Sequence, residues 1–85
     1  MSYIVYILKS QSADRYYTGY TKDIEERLHR HNAGHSKSTK PYRPWEVVYT
    51  EEYPTRSAAM QREDEIKSKK SRDYIEWLIN KSQNN

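Results

Sequence analysis

Residues 3–8 read Tyr-Ile-Val-Tyr-Ile-Leu, β-branched and aromatic without a break. Such a run suits a strand covered on both faces. A chain of 85 residues and 10.3 kDa has room for one domain and one core to cover it. The remainder is polar: 34% of residues are hydrophobic, 32% are charged and the mean hydropathy is -1.25, so the core is small and its shell highly charged. With 13% aromatic residues and a formal net charge of +3, the chain lacks the signature of disorder. No apolar run approaches the ~18 residues of a membrane helix, and no basic segment leads into an apolar stretch and cleavage site. A cytoplasmic protein without membrane contact is expected.

A polar stretch from Ser10 to Arg15 separates the first run from Tyr16–Thr21, which predicts two adjacent antiparallel strands over about 3–9 and 16–21. Gly19 interrupts the second strand, as glycine does where backbone or ligand approaches closely. Asp23 before Glu25 and Glu26, with Gly34 as a stop, predicts a helix over 24–33. At ~100° per residue, Ile24, Leu28 and His31 share one stripe, with Arg27 beside it. After a loop bounded by Pro41 and Pro44, residues 45–53 form a third strand in which Trp45, Val47 and Tyr49 are expected on one face. Thr55 or Ser57 caps a helix over 56–69, and Ser71 caps another over 72–80. Residues 1–80 then form a single domain and 81–85 a frayed tail. The order β-β-α-β-α-α predicts an α+β fold, a small three-stranded mainly antiparallel sheet flanked by helices.

Several chemistries are excluded at once. Zero cysteines remove disulfide scaffolds, thiol nucleophiles and thiolate zinc sites, and two glycines cannot build a phosphate-cradling loop or a dinucleotide fingerprint. His29, His31 and His35 lack a third ligand in register once Gly34 breaks the helix, which disfavours a zinc cluster. Between Glu26 and Glu46 there is no acidic residue, whereas Arg27, Arg30, Lys37, Lys40 and Arg43 all lie there. A phosphodiester backbone selects such a belt. A second basic cluster, Lys67, Lys69, Lys70 and Arg72, reads as a solvated helix junction. Glu63 falls on the apolar stripe of its helix, between Ala59 and Ile66. An inward carboxylate needs a partner: an arginine, or a hard cation that keeps its own waters. Nine tyrosines with no phenylalanine hint that hydroxyls are used.

Ile4-Val5-Tyr6 and Tyr17-Thr18-Gly19, followed by Arg27, His31 and Glu63, resemble the GIY-YIG nuclease domain, and the length is similar to its small stand-alone bacterial (YhbQ-like) members. Ile4-Val5-Tyr6 stands where the family has Gly-Ile-Tyr, and Tyr17-Thr18-Gly19 where it has Tyr-Ile-Gly. Arg27 and His31 match the helix residues one turn apart, and Glu63 matches the metal-binding glutamate. The resemblance covers about residues 3–80.

It implies a metal-dependent endonuclease that hydrolyses DNA phosphodiester bonds, of the kind that serves DNA repair or recombination. Glu63 is then the ligand of one Mg²⁺ or Mn²⁺, and Arg27 a fork on the phosphate. Tyr6 or Tyr17 is the general base, helped by neutral His31. Arg27, Arg30, Lys37, Lys40 and Arg43 hold the nucleic acid, DNA ahead of RNA, and a protein partner supplies substrate specificity. Two other classes remain open: a catalytically idle nucleic-acid-binding module, which keeps the belt and binds equally in EDTA, and a structural domain with no salt-dependent affinity for nucleic acid.

Overall fold

The computed structural model describes residues 2–83. Strands β1 (Tyr3–Ser10) and β2 (Tyr16–Thr21) precede helix α1 (Ile24–Asn32). A short 3-10 turn at Lys40–Tyr42 leads into β3 (Trp45–Tyr53), α2 (Arg56–Ser68) and α3 (Arg72–Gln83). The sheet is antiparallel throughout in the order β2-β1-β3, so the apolar first run becomes the central strand. Both faces of β1 are covered. Val5 and Ile7 pack with Ala59, Ile66 and Leu78 of α2 and α3, while Tyr6 and Leu8 pack with Trp45 and with Ile24 and Leu28 of α1. The α+β architecture expected from the sequence is the one observed. Among the described residues, no helix is long and apolar enough to cross a membrane.

The caps follow their chemistry. Asp23 accepts from the Glu26 amide at 3.1 Å, and Thr55, rather than Ser57, accepts from that of Ala58 at 3.2 Å. Ser71 accepts from the Tyr74 amide at 3.1 Å. Gly34, at φ 84°, follows α1 in the left-handed region that glycine reaches without steric cost.

Two local expectations are corrected. Trp45, Val47 and Tyr49 do not share a face: the β1–β3 register pairs Ile7 with Tyr49 but Leu8 with Val47, a bulge at Val48. The extra residue reverses the alternation, leaving Trp45 and Val47 against α1 and sending Tyr49 to the side of α2 and α3. Helix α3 continues through Gln83, beyond the expected end at 80, so residues 81–83 are helical rather than frayed. Residues 84 and 85 of the expected tail lie outside the described residues.

An ion-pair cluster ties α2 to the edge strand β3. Glu51 accepts from Arg62 Nε at 2.8 Å and Nη2 at 3.0 Å, from Tyr53 Oη at 2.5 Å, and from Tyr49 Oη. Burial alone would raise the Glu51 pKa, but the hydrogen bonds from Arg62, Tyr49 and Tyr53 outweigh it and hold the carboxyl down at about 2.

Candidate active site

Tyr6 projects from the middle of β1 toward α1, and its phenol is almost wholly buried. Its Oη lies 3.1 Å from His31 Nε2, and the other ring nitrogen, Nδ1, lies 2.8 Å from Thr39 Oγ1. Thr39 is 1% exposed and is held in place by its own carbonyl, which accepts from Trp45 Nε1 at 2.9 Å. Asn32 at the end of α1 clamps the Trp45 backbone, accepting from its amide at 2.6 Å and donating to its carbonyl at 3.1 Å. The imidazole is therefore fixed from both ends by residues far apart in sequence.

Burial, followed by the Arg27 and Arg30 cations, lowers the His31 pKa, which keeps the ring neutral at neutral pH. A neutral imidazole has one donor and one acceptor. Burial and the neighbouring Tyr17 phenol push the Tyr6 pKa up to about 12 despite the opposing Arg27 cation, so its hydroxyl remains protonated. Proton donation from Tyr6 to Nε2 then leaves Nδ1–H for Thr39, and the chain of hydrogen bonds closes with no group unmatched.

Tyr17 covers the outer side of this pair, its ring centroid 4.9 Å from that of His31 and 6.3 Å from that of Tyr6. Gly19 is the ladder partner of Tyr6, and the absence of a side chain there gives the phenol its space.

A cleft of about 380 Å³ opens beside these groups, walled by Tyr6, Tyr17, Gly19, Arg27 and Glu63. All five residues expected to carry chemistry, Tyr6, Tyr17, Arg27, His31 and Glu63, thus lie in or directly behind one cleft. Arg27 is half-buried, and its Nε is the buried side-chain nitrogen without a hydrogen-bond partner among the described residues. Glu63 is 16% exposed and pairs with Lys67 Nζ at 3.5 Å, one turn along α2, rather than with an arginine.

No trio of His, Cys, Asp or Glu among the described residues forms a closed cage for a metal. A single, mostly buried carboxylate facing a roomy polar cleft fits Mg²⁺, which takes one or two protein carboxylates and retains several waters.

The basic belt divides. Arg27 lines the cleft and, with Arg30, a neighbouring hollow walled by Tyr17 and His31, where Arg30 also lies 3.6 Å from the exposed Glu26. Lys37, Lys40 and Arg43 surround a separate hollow floored by Asn32, Pro41 and Pro44. Thr39, buried behind His31, and Lys22 and Arg56 on the cleft wall carry no signal in the sequence. Thr39 lies in a stretch that reads only as loop. Lys22, over the Tyr3 ring, and Arg56, which donates to Tyr20 Oη at 3.2 Å, join the cleft wall through residues that carry no motif.

Comparison with known proteins agrees with this geometry. Residues 2–80 match the model of the GIY-YIG catalytic domain. The chain is 47% identical over 68 residues to UPF0213 proteins of Staphylococcus aureus, strains N315 and Mu50, spanning 79% of this chain and 82% of theirs. The solution NMR structure of a UPF0213 protein from Bacillus halodurans superposes with a TM-score of 0.58 at 36% identity, covering 94% of this chain and 84% of that one. The cleft, the spacing of its residues and these likenesses together make the chain a member of the GIY-YIG catalytic-domain family, alongside the UPF0213 proteins.

Proposed function

We propose that the protein is a metal-dependent endonuclease that hydrolyses phosphodiester bonds in DNA, with a setting in repair or recombination. The observation that carries this reading is the half-buried Arg27, which has no carboxylate partner among the described residues and walls a cleft with Tyr6 and Glu63. A partly desolvated guanidinium without a carboxylate favours an anion, and a phosphate oxygen accepts from its N–H groups with matching charge.

Hydrolysis requires a water to lose its proton, the charge growing on the phosphoryl oxygens to be neutralised, and the departing 3′ oxygen to be assisted. Tyr6 is the better base of the two tyrosines because it is the one bonded to an imidazole. Its raised pKa rules out a standing phenolate. The proton therefore moves by relay: the water's proton passes to Tyr6 Oη as the Tyr6 proton passes to His31 Nε2. Thr39 accepts from Nδ1–H and steadies the imidazolium that forms.

Tyr17, over the His31 ring, excludes water from the relay and orients the substrate. Arg27 binds the attacked phosphate. Glu63 holds Mg²⁺ or Mn²⁺, which when bound contributes positive charge at the phosphate and the leaving oxygen.

The direct test is incubation with nicked, branched and single-stranded DNA, and with RNA, in Mg²⁺ and in EDTA. The expected result is cleavage of at least one DNA form in Mg²⁺ that EDTA abolishes. Binding that is equal in EDTA, with no substrate cut, would instead identify an idle nucleic-acid-binding module.

A further inference from the structure

The basic cluster at the α2–α3 junction does not behave as one solvated patch. Arg72 is engaged by Asp14 and by Glu76 at 3.3 Å. Lys69 lies over the Tyr74 ring at 5.5 Å. Lys70, and Lys67, which also pairs with Glu63 at 3.5 Å and lies over the Tyr17 ring at 5.8 Å, line a groove of about 410 Å³ between β2 and the junction, floored by Ile66 and Ile75 and by the ring of Tyr16.

Tyr17 lines this groove, the active cleft, and the hollow that holds Arg30 and His35. The three depressions share Tyr17 as a wall, and each is lined by cations: Lys22 and Arg27 in the cleft, Lys67 and Lys70 in the groove, Arg27 and Arg30 in the hollow. Lys70 has no acidic partner among the described residues and sits at φ 48°, a left-handed conformation that glycine adopts freely and lysine only at a cost. The left-handed turn closes α2, the Lys70 amide donating to the Lys67 carbonyl at 3.2 Å, and it leaves an unpaired ammonium at the rim of the groove.

We propose that this groove binds the nucleic-acid strand flanking the attacked phosphodiester, with Lys70 and Lys67 on successive phosphates and the Ile66–Ile75 floor against ribose and base. The inference rests on the nuclease reading and deepens it by assigning a strand path out of the cleft. An extended strand is the occupant for two reasons: the groove shares its Tyr17 wall with the candidate cleft, and its apolar floor under a cationic rim matches a chain of alternating bases and phosphates.

The test uses Lys70→Gly, which removes the charge while relaxing the backbone and therefore keeps the fold. Binding of a fluorescein-labelled oligo-dT of about a dozen nucleotides is followed by anisotropy in EDTA across a salt series, beside Lys69→Ala as a neighbour outside the groove. The expected result is an unchanged or higher Tm for Lys70→Gly with a salt slope flatter by about 0.7, one single-strand phosphate contact, while Lys69→Ala keeps the parent slope. An unchanged slope in Lys70→Gly, as for a groove that takes a protein segment, or an equal loss in both variants, overturns the groove and leaves the nuclease reading standing. A parent protein that neither binds the oligonucleotide nor cuts DNA overturns both.

Discussion

Gly19 stands directly across the β1–β2 ladder from Tyr6, and a methyl group at that position would lie 2.6 Å from the Tyr6 hydroxyl and 3.2 Å from Tyr17 Cε2. The reason for glycine is space, since the nearest neighbour is the buried end of the phenol that bonds His31. Gly19→Ala is expected to push Tyr6 off His31, at about 1–3 kcal/mol in stability. Cleavage should fall on the order of a hundredfold, as expected when a reacting group moves by about an ångström. Thermal melts and single-turnover cleavage of the variant check both.

Thr39 should matter as much as residues with obvious chemistry. Thr39→Val removes the acceptor of the buried Nδ1–H and is expected to cost about 1–3 kcal/mol. It also lowers cleavage by weakening the relay. His31 has its pKa depressed in the fold, so the stability it contributes is fully present above the unfolded value of 6.5 and is lost as pH falls through the lower folded value. The cleavage rate should have an acid limb in the same window, and its midpoint should move in Thr39→Val. A pH–rate profile of the two proteins is the measurement.

The Glu51 cluster predicts behaviour at both pH extremes. Glu51, held at about 2 against an ordinary 4.5, contributes stability that is present above 4.5 and lost as pH falls through 2. Tyr6, Tyr49 and Tyr53 are raised from 10.0 to about 12, so the stability they contribute is present below 10 and lost as pH rises through 12. Glu51→Gln, which leaves Arg62 with only the exposed Glu65 carboxylate, should cost about 2 kcal/mol near neutral pH and remove the loss in acid. Melts between pH 2 and 7, with a spectrophotometric tyrosine titration above 9, check the signs.

The division of the basic belt separates binding from catalysis. Lys37→Ala and Lys40→Ala should each flatten the salt dependence of DNA affinity by roughly one unit, equally for all sequences. Because both residues lie at the second hollow, KM should rise with kcat unchanged. Arg27→Ala should lower kcat itself. Steady-state kinetics at two salt concentrations distinguish these cases.

How far the sequence foretells this molecule depends on the range of the interaction. The central strand, the caps at Asp23 and Ser71, and the placement of Glu63 on the Ala59–Ile66 stripe are local periodicity and capping chemistry, and each is observed. The bulge at Val48 is not legible, because it depends on which β1 residue faces which β3 residue. Thr39 is invisible for the same reason: its role follows from a loop folding back onto α1, eight residues from His31. The Glu51–Arg62 pair spans two elements, and no spacing rule joins them. The protein partner of Glu63 is not the expected arginine: Lys67 pairs with it one turn along the same helix, a spacing the sequence carries.

The central claim is that Glu63 serves catalysis rather than stability. Its partner Lys67 is half exposed and returns to water when the carboxylate is neutralised, so Glu63→Gln should melt no lower than the parent and keep or improve its DNA affinity. The decisive measurement is single-turnover cleavage of the DNA form cut by the parent, in Mg²⁺, by the parent and by Glu63→Gln. A loss of about a thousandfold in the folded variant is the predicted result. A Gln variant that cuts within about threefold of the parent, less than 1 kcal/mol of barrier, would contradict the assignment.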